Sequence, residues 1–177
     1  YHRYQGYSVA NLQGIATRAK ALGLRTSMLE HIASGVDDLV EDVTVGNASA
    51  WQQYTLAYPT SDNGAQYFTI SGGRPVIGGM TRLLAPVFSA VKRGAVRVGS
   101  QGTDHITAAF VNPDGRAVVV LRPRAAGSVT LVGLPTGRYQ VTFAPESGAT
   151  TASTVNINGP APLALPGAGV MVVRGVP

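Results

Sequence analysis

The hydrophobic pattern changes period once along the chain, near Gly94, and that change limits the folds open to it. Before Gly94, stripes at helical spacing alternate with short apolar runs. Residues 9–22 put Leu12, Ile15, Ala16, Ala19 and Leu22 on one face, with Ser8 placed as an N-cap and Gly23 as a stop. Residues 24–29 then read as an extended, mostly buried strand after almost no loop. Val36, Leu39, Val40 and Val43 form a second stripe, with Asp37 and Asp38 in its first turn. This order, with short connections, belongs to a parallel sheet.

Residues 52–58 read as the next strand of that series and 67–70 as a further short strand. Residues 80–93 read as a helix, with Pro86 expected to kink it or displace its start. Beyond Gly94 the β-prone runs 95–98, 105–111, 116–121, 128–132, 138–143 and 170–174 follow one another without a helix. Turn signals separate them, Asn112-Pro113-Asp114-Gly115 between two valine-rich runs being the clearest. Residues 147–158 read as a loop or edge strand. Such a series makes an antiparallel sandwich. The expected fold is therefore α/β plus all-β: the C-terminal portion of a (β/α)8 barrel over residues 1–94, then a β-sandwich over residues 95–177.

The strand at 24–29 ends on Glu30 beside His31. A carboxylate at the carboxyl end of a barrel strand stands where such folds keep catalytic groups. Taken alone, it reads first as a strand-end cap or ion pair. Asp37, Asp38, Glu41 and Asp42 form the main acidic cluster, read as helix-start charge and a solvated face. Asp62 and Asn63, on a polar loop after Tyr58, read as solvated turn residues within reach of a sugar. Phe110, Tyr139 and Phe143 of the sandwich read as core.

Composition narrows the function. There is no cysteine, so disulfides and thiolate metal sites are excluded. The net charge is +5, but lysine and arginine are scattered singly, without a basic run or an aromatic-interleaved ribbon, so nucleic acid is not the expected partner. No membrane-spanning run is present, and no cofactor or metal is expected. The chain opens on Tyr1-His2-Arg3-Tyr4, as if inside an element, which is the expectation for part of something longer.

Four stretches together resemble the carboxyl-terminal part of the retaining (β/α)8-barrel glycoside hydrolases, family 30 and its relatives. His2-Arg3-Tyr4 resembles the end of the sixth barrel strand, and Thr26-Ser27-Met28-Leu29-Glu30 the seventh, whose last residue is the nucleophile. Ala48-Ser49-Ala50-Trp51 and residues 52–58 resemble the approach to the eighth. Residues 83–100 resemble the last barrel helix leading into the sandwich. The family has Thr or Ser before the nucleophile, where this chain has Leu29.

The resemblance implies a retaining glycosidase that uses no cofactor, with Glu30 as nucleophile and His2, Tyr4, His31, Trp51 and Tyr58 lining the sugar site. It implies an oligosaccharide, polysaccharide or glycoside substrate and a secreted location. The family's acid/base glutamate follows an asparagine on the fourth strand; no Asn-Glu occurs here, so that residue and the first five strands must come from the same precursor or a second chain. A second reading takes the chain as a non-catalytic carbohydrate-binding or structural β-sandwich module with an α/β extension.

Overall fold

The first helix forms where its caps allow it. The Ser8 hydroxyl accepts the Asn11 N–H at 3.1 Å and starts α1 (Val9–Ala21). Gly23, at φ 65°, ends it: its N–H reaches the Lys20 carbonyl, and the Leu24 N–H reaches that of Ala19 at 2.8 Å. This computed structural model describes residues 1–4, 6–58, 61–64, 66–102 and 106–177. His105, read as a strand start, and Pro59 and Thr60 of the polar loop lie outside the described residues. The chain divides into two compact units, Tyr1–Thr81 and Arg82–Pro177.

In the first unit β1 (Ser27–Met28) pairs in parallel with β2 (Ala50–Trp51), after α2 (Val36–Thr44) has turned the chain back. On the other side of β1 runs the start of the chain, where His2 bridges Glu30 in parallel. The ladder is shorter than the run 24–29. Tyr1 N donates to the Ser27 carbonyl at 2.7 Å and Ser49 N–H to that of Thr26 at 2.8 Å, and β2, which begins at Ala50, does not extend back to pair Leu24 or Arg25.

The run 52–58 is also corrected. Gln53 turns inward, fully buried; its amide donates to the Ser34 carbonyl (3.1 Å) and accepts the Ser34 hydroxyl (2.7 Å). That turn splits β2 from β3 (Thr55–Tyr58), which joins a different sheet. There β3 pairs in parallel with β4 (Gln66–Ser71), and β4 pairs antiparallel with β5 (Arg74–Ile77). Gly72 and Gly73 connect these last two with φ 55° and 74°, the positive pair that a two-residue hairpin of right-handed twist requires.

Helix α3 (Gly79–Ala90) runs through Pro86, and its start is not displaced toward that residue. The second unit adds β6 (Val96–Val98), β7 (Ile106–Val111), β8 (Ala117–Arg122), β9 (Gly127–Leu131), β10 (Gly137–Pro145), β11 (Thr151–Ile157), β12 (Ala161–Leu165) and β13 (Gly169–Gly175). Six of them form an antiparallel sheet in the order β11-β10-β13-β8-β7-β6, and β12-β9 form a second, two-stranded sheet. Leu121, Tyr139, Val141, Phe143, Met171 and Val173 of the first meet Leu131, Ala161 and Leu165 of the second in one buried core. Each of the larger side chains there contributes about 1.5–3 kcal/mol by burial. Residues 151–157 are the edge strand of the pair of alternatives, and β12 was not anticipated.

Within this unit α3 is fastened at both ends. Arg82 donates to the carbonyls of Pro145 (2.6 Å), Glu146 (2.6 Å) and Gly148 (3.1 Å), at and just past the end of β10. At the other end the buried Asn112 amide donates to the Ala90 carbonyl and accepts the Lys92 N–H, each at 2.9 Å. Asn112→Ala leaves both backbone groups without that partner and should cost about 1–3 kcal/mol. Urea unfolding with an unchanged m-value checks it.

Candidate active site

Glu30 is presented by an irregularity in its strand. In a regular parallel ladder one residue both donates to and accepts from the residues flanking its partner. Here the Leu29 N–H donates to the Tyr1 carbonyl at 3.0 Å, while the Glu30 carbonyl accepts the Arg3 N–H at 3.3 Å. Leu29 and Glu30 therefore lie together across from His2, the two-against-one count of a β-bulge. Strict alternation would put Glu30 on the face of Met28, which is fully buried. The extra residue turns it to the face of His2 and Tyr4.

There the Tyr4 hydroxyl donates to Glu30 Oε1 at 2.8 Å, and His2 Nδ1 lies 3.6 Å from Oε2. The Glu30 side chain is 28% exposed, open enough to meet a ligand. The ring of His31 meets that of Tyr4 edge-on at 5.7 Å, and its Nδ1 lies 3.8 Å from Asp38 Oδ1. The Tyr4 phenol is held above its ordinary range, first by desolvation, then by the bond it donates to Glu30; Tyr54 adds to the same effect.

On the opposite face Arg3 is buried among carboxylates. It pairs with Asp38 at 2.9 Å, with Glu41, and with the fully buried Asp42 at 3.4 Å, and it lies 4.0 Å over the ring of Tyr7. Asp42 also accepts the Tyr1 hydroxyl at 2.8 Å and the Trp51 indole N–H at 2.9 Å. Burial pushes the Asp42 carboxyl up, and the Tyr1, Arg3 and Trp51 contacts act against that rise. Asp38 does serve the helix start, accepting the Gly35 N–H at 2.9 Å, but Glu41 and Asp42 are not a solvated face: with Asp38 they clasp one guanidinium, which fixes α2 against the parallel strands.

Residues 94–161 match the model of the glycosyl hydrolase family 30 beta sandwich domain. The chain resembles the carboxyl-terminal part of a family 30 glycoside hydrolase. Among solved structures it is similar to the catalytic domain of the family 30 xylanase C from Talaromyces cellulolyticus, at 19% identity and a TM-score of 0.71, over 87% of this chain and 41% of that one. It is similar to a conserved exported protein from Bacteroides fragilis, at 14% identity and a TM-score of 0.76, over 98% and 45%. A thermostable family 51 α-L-arabinofuranosidase from Thermotoga petrophila matches at 10% identity and a TM-score of 0.60, over 95% and 47%. The chain thus spans less than half the length of each of these structures. No curated protein sequence matches it. A role related to glycoside hydrolysis follows from the family 30 match.

Of the residues expected at the sugar site, His2, Tyr4, Glu30 and His31 come together. Trp51 does not join them, because its register with Met28 puts it on the α2 side, where its N–H serves Asp42. Tyr58 ends β3 in the second sheet rather than the strand beside β1. Asp62 is structural: its carboxylate accepts the N–H groups of Gly64 (3.2 Å) and Met80 (3.4 Å). Tyr54 was missed. Its sequence signal is alternation, since Tyr54, Leu56 and Tyr58 recur every second residue.

Proposed function

We propose that this chain is the carboxyl-terminal portion of a retaining (β/α)8-barrel glycoside hydrolase, contributing about strands six to eight, and that Glu30 is its nucleophile. The carrying observation is the bulge at Leu29–Glu30, which sets a partly exposed carboxylate against Tyr4 and His2 just past the carboxyl end of β1, between β2 and the bridged start of the chain. A rigid strand end suits a nucleophile that must hold one geometry, and the phenol steadies its charge. The alternative of a binding or structural module fits the family match over the sandwich but leaves the presentation of Glu30 without a use.

In this reading Glu30 attacks the anomeric carbon and forms a glycosyl–enzyme ester. The acid/base carboxyl, about 5–5.5 Å away, protonates the leaving oxygen and later activates water. That second group belongs to the remainder of the barrel, in the same precursor or another chain. The substrate is a glycoside or a polysaccharide such as those named for the family 30 xylanase and the endo-β-1,6-glucanase of similar fold. Secretion is proposed with it, because polymers of that kind lie outside the cell.

Covalent trapping tests the mechanism. The assembled enzyme, treated with activated 2-deoxy-2-fluoro xyloside and glucoside, should carry one glycosyl mass on the peptide that contains Glu30. Label on a different carboxylate rules out Glu30 as nucleophile.

A further inference from the structure

We propose that Gln53 is a positioning residue for Glu30: its buried carboxamide closes on Ser34 and holds the turn after the reacting carboxylate in a strained shape. The inference rests on the reading of Glu30 as the nucleophile.

The strain lies next to the site. The Ser34 N–H donates to the His31 carbonyl at 3.2 Å, which closes a β-turn over residues 31–34 directly after Glu30. The third residue of that turn is Ala33, at φ 69°. Gly or Asn is the ordinary occupant of this left-handed region, and a residue with a Cβ stays there only where its surroundings hold it. Strain of this kind gathers at reacting sites, where it helps to aim a group.

Two clamps hold the turn. On one side the Asn63 carbonyl accepts the Ala33 N–H at 2.8 Å, and Gly64 comes so close that a Cβ there would stand 2.6 Å from Ala33 Cα. On the other side stands Gln53. Its Nε2 donates to the Ser34 carbonyl and its Oε1 accepts the Ser34 hydroxyl, so all three polar groups of Ser34 are engaged. Ser34 and Gln53 are 0% and 2% exposed, and hydrogen bonds out of water hold more firmly. The Gln53 N–H in turn donates to the Tyr67 hydroxyl at 3.0 Å, which ties the clamp to β4.

The clamp reaches Glu30 through one residue. His31, whose carbonyl closes the turn, sets its ring edge-on to Tyr4, and Tyr4 donates to Glu30 Oε1. A relaxed turn carries His31 off Tyr4 and frees the carboxylate to shift. A displacement of about 1 Å at a reacting group costs about 10²-fold in rate. Packing alone does not call for this chemistry, because apolar side chains of the same shape can fill such a site nearly as well.

Trapping of the assembled enzyme with activated 2-deoxy-2-fluoro xyloside and glucoside provides the test. Two quantities are read: the saturating rate of labelling at Glu30, and the concentration that gives half of it. Gln53→Leu should lower the saturating rate about 10²-fold and leave the half-saturating concentration within about twofold of the parent. Asn112→Ala, which also strips partners from buried groups but in the second unit, should label at the parental rate. Gln53→Glu separates aim from packing. A protonated carboxyl donates and accepts as the amide does, whereas an ionised one has no proton for the Ser34 carbonyl. Its saturating rate should therefore approach that of the parent at about pH 5 and fall about tenfold relative to it by about pH 9. The Tyr67 phenol bonded at position 53 is common to both proteins and drops out of that ratio. Three results overturn the positioning role: Gln53→Leu labelling at the parental rate, Asn112→Ala slowed as much as Gln53→Leu, or the same Gln53→Glu ratio at both pH values. If Gln53→Leu does not fold, the Gln53→Glu ratio decides alone. Label on a carboxylate other than Glu30 in the parent refutes the nucleophile instead, so the two failures are told apart.

Discussion

In the assembled enzyme Glu30→Gln is expected to lower kcat on the order of 10⁴-fold, the scale of removing one member of a reacting set. The substitution isolates the role. Gln keeps an oxygen to accept the Tyr4 hydroxyl, at 2.8 Å in the parent, so the packing of the strand end persists. What disappears is the negative charge and the attacking oxygen. Substrate should still bind, and the circular dichroism spectrum and melting temperature should match the parent. Steady-state rates on an aryl glycoside, with the melting curve as control, check both parts. Hydrolysis at the parental rate sinks the nucleophile assignment.

The second large effect is on stability. Arg3→Met is expected to cost about 3–5 kcal/mol, because it leaves a buried carboxylate facing two others with no cation. Asp42 bears most of this, being fully buried, whereas Asp38 and Glu41 keep partial access to water. Its carboxyl already has a raised pKa in the fold, chiefly from burial, and the loss of Arg3 removes one of the contacts that oppose the rise. The sign follows. A carboxyl whose folded pKa exceeds its unfolded value makes the fold more stable as pH falls from the folded value toward the unfolded one. The deficit of Arg3→Met should therefore be largest near neutral pH and shrink as pH falls toward 4, the ordinary aspartate range. Urea unfolding of both proteins across that range measures it. A deficit that does not change with pH refutes the role of Asp42.

The parts of the fold that depend on near neighbours were legible in the sequence. Ser8 and Gly23 bracket α1 because capping is decided within three or four residues. Six of the eight strands described after Gly94 were legible because valine runs and their turns are local signals. Glu30 stood out because the run before it ends abruptly. What escaped depends on pairing across long separations. The partners of Arg3 lie 35 to 39 residues away, and nothing near Arg3 shows that its side chain turns to α2. Trp51 had two faces available, and its register with Met28 chose the one away from Glu30. Residues 161–165 hid as a strand because Pro162 argues against one; Pro162 is tolerated there because β12 pairs only with β9. Gly72-Gly73, by contrast, is a local hairpin signal.

The bulge at Leu29 makes the site depend on counting. Side chains in a strand point alternately to either side, so parity alone decides which compartment a residue enters. One residue fewer before Glu30 would deliver its carboxylate to the side already crowded by Asp38, Glu41 and Asp42, where a fourth negative charge has a single arginine to share. With position 29 filled, by a residue of almost any chemistry, the carboxylate reaches the open side. Position 29 is therefore a spacer: Leu29 matters for being there rather than for being leucine. A serine or threonine in its place keeps the count, which is how the departure from the family's usual residue at this point leaves the presentation of Glu30 intact.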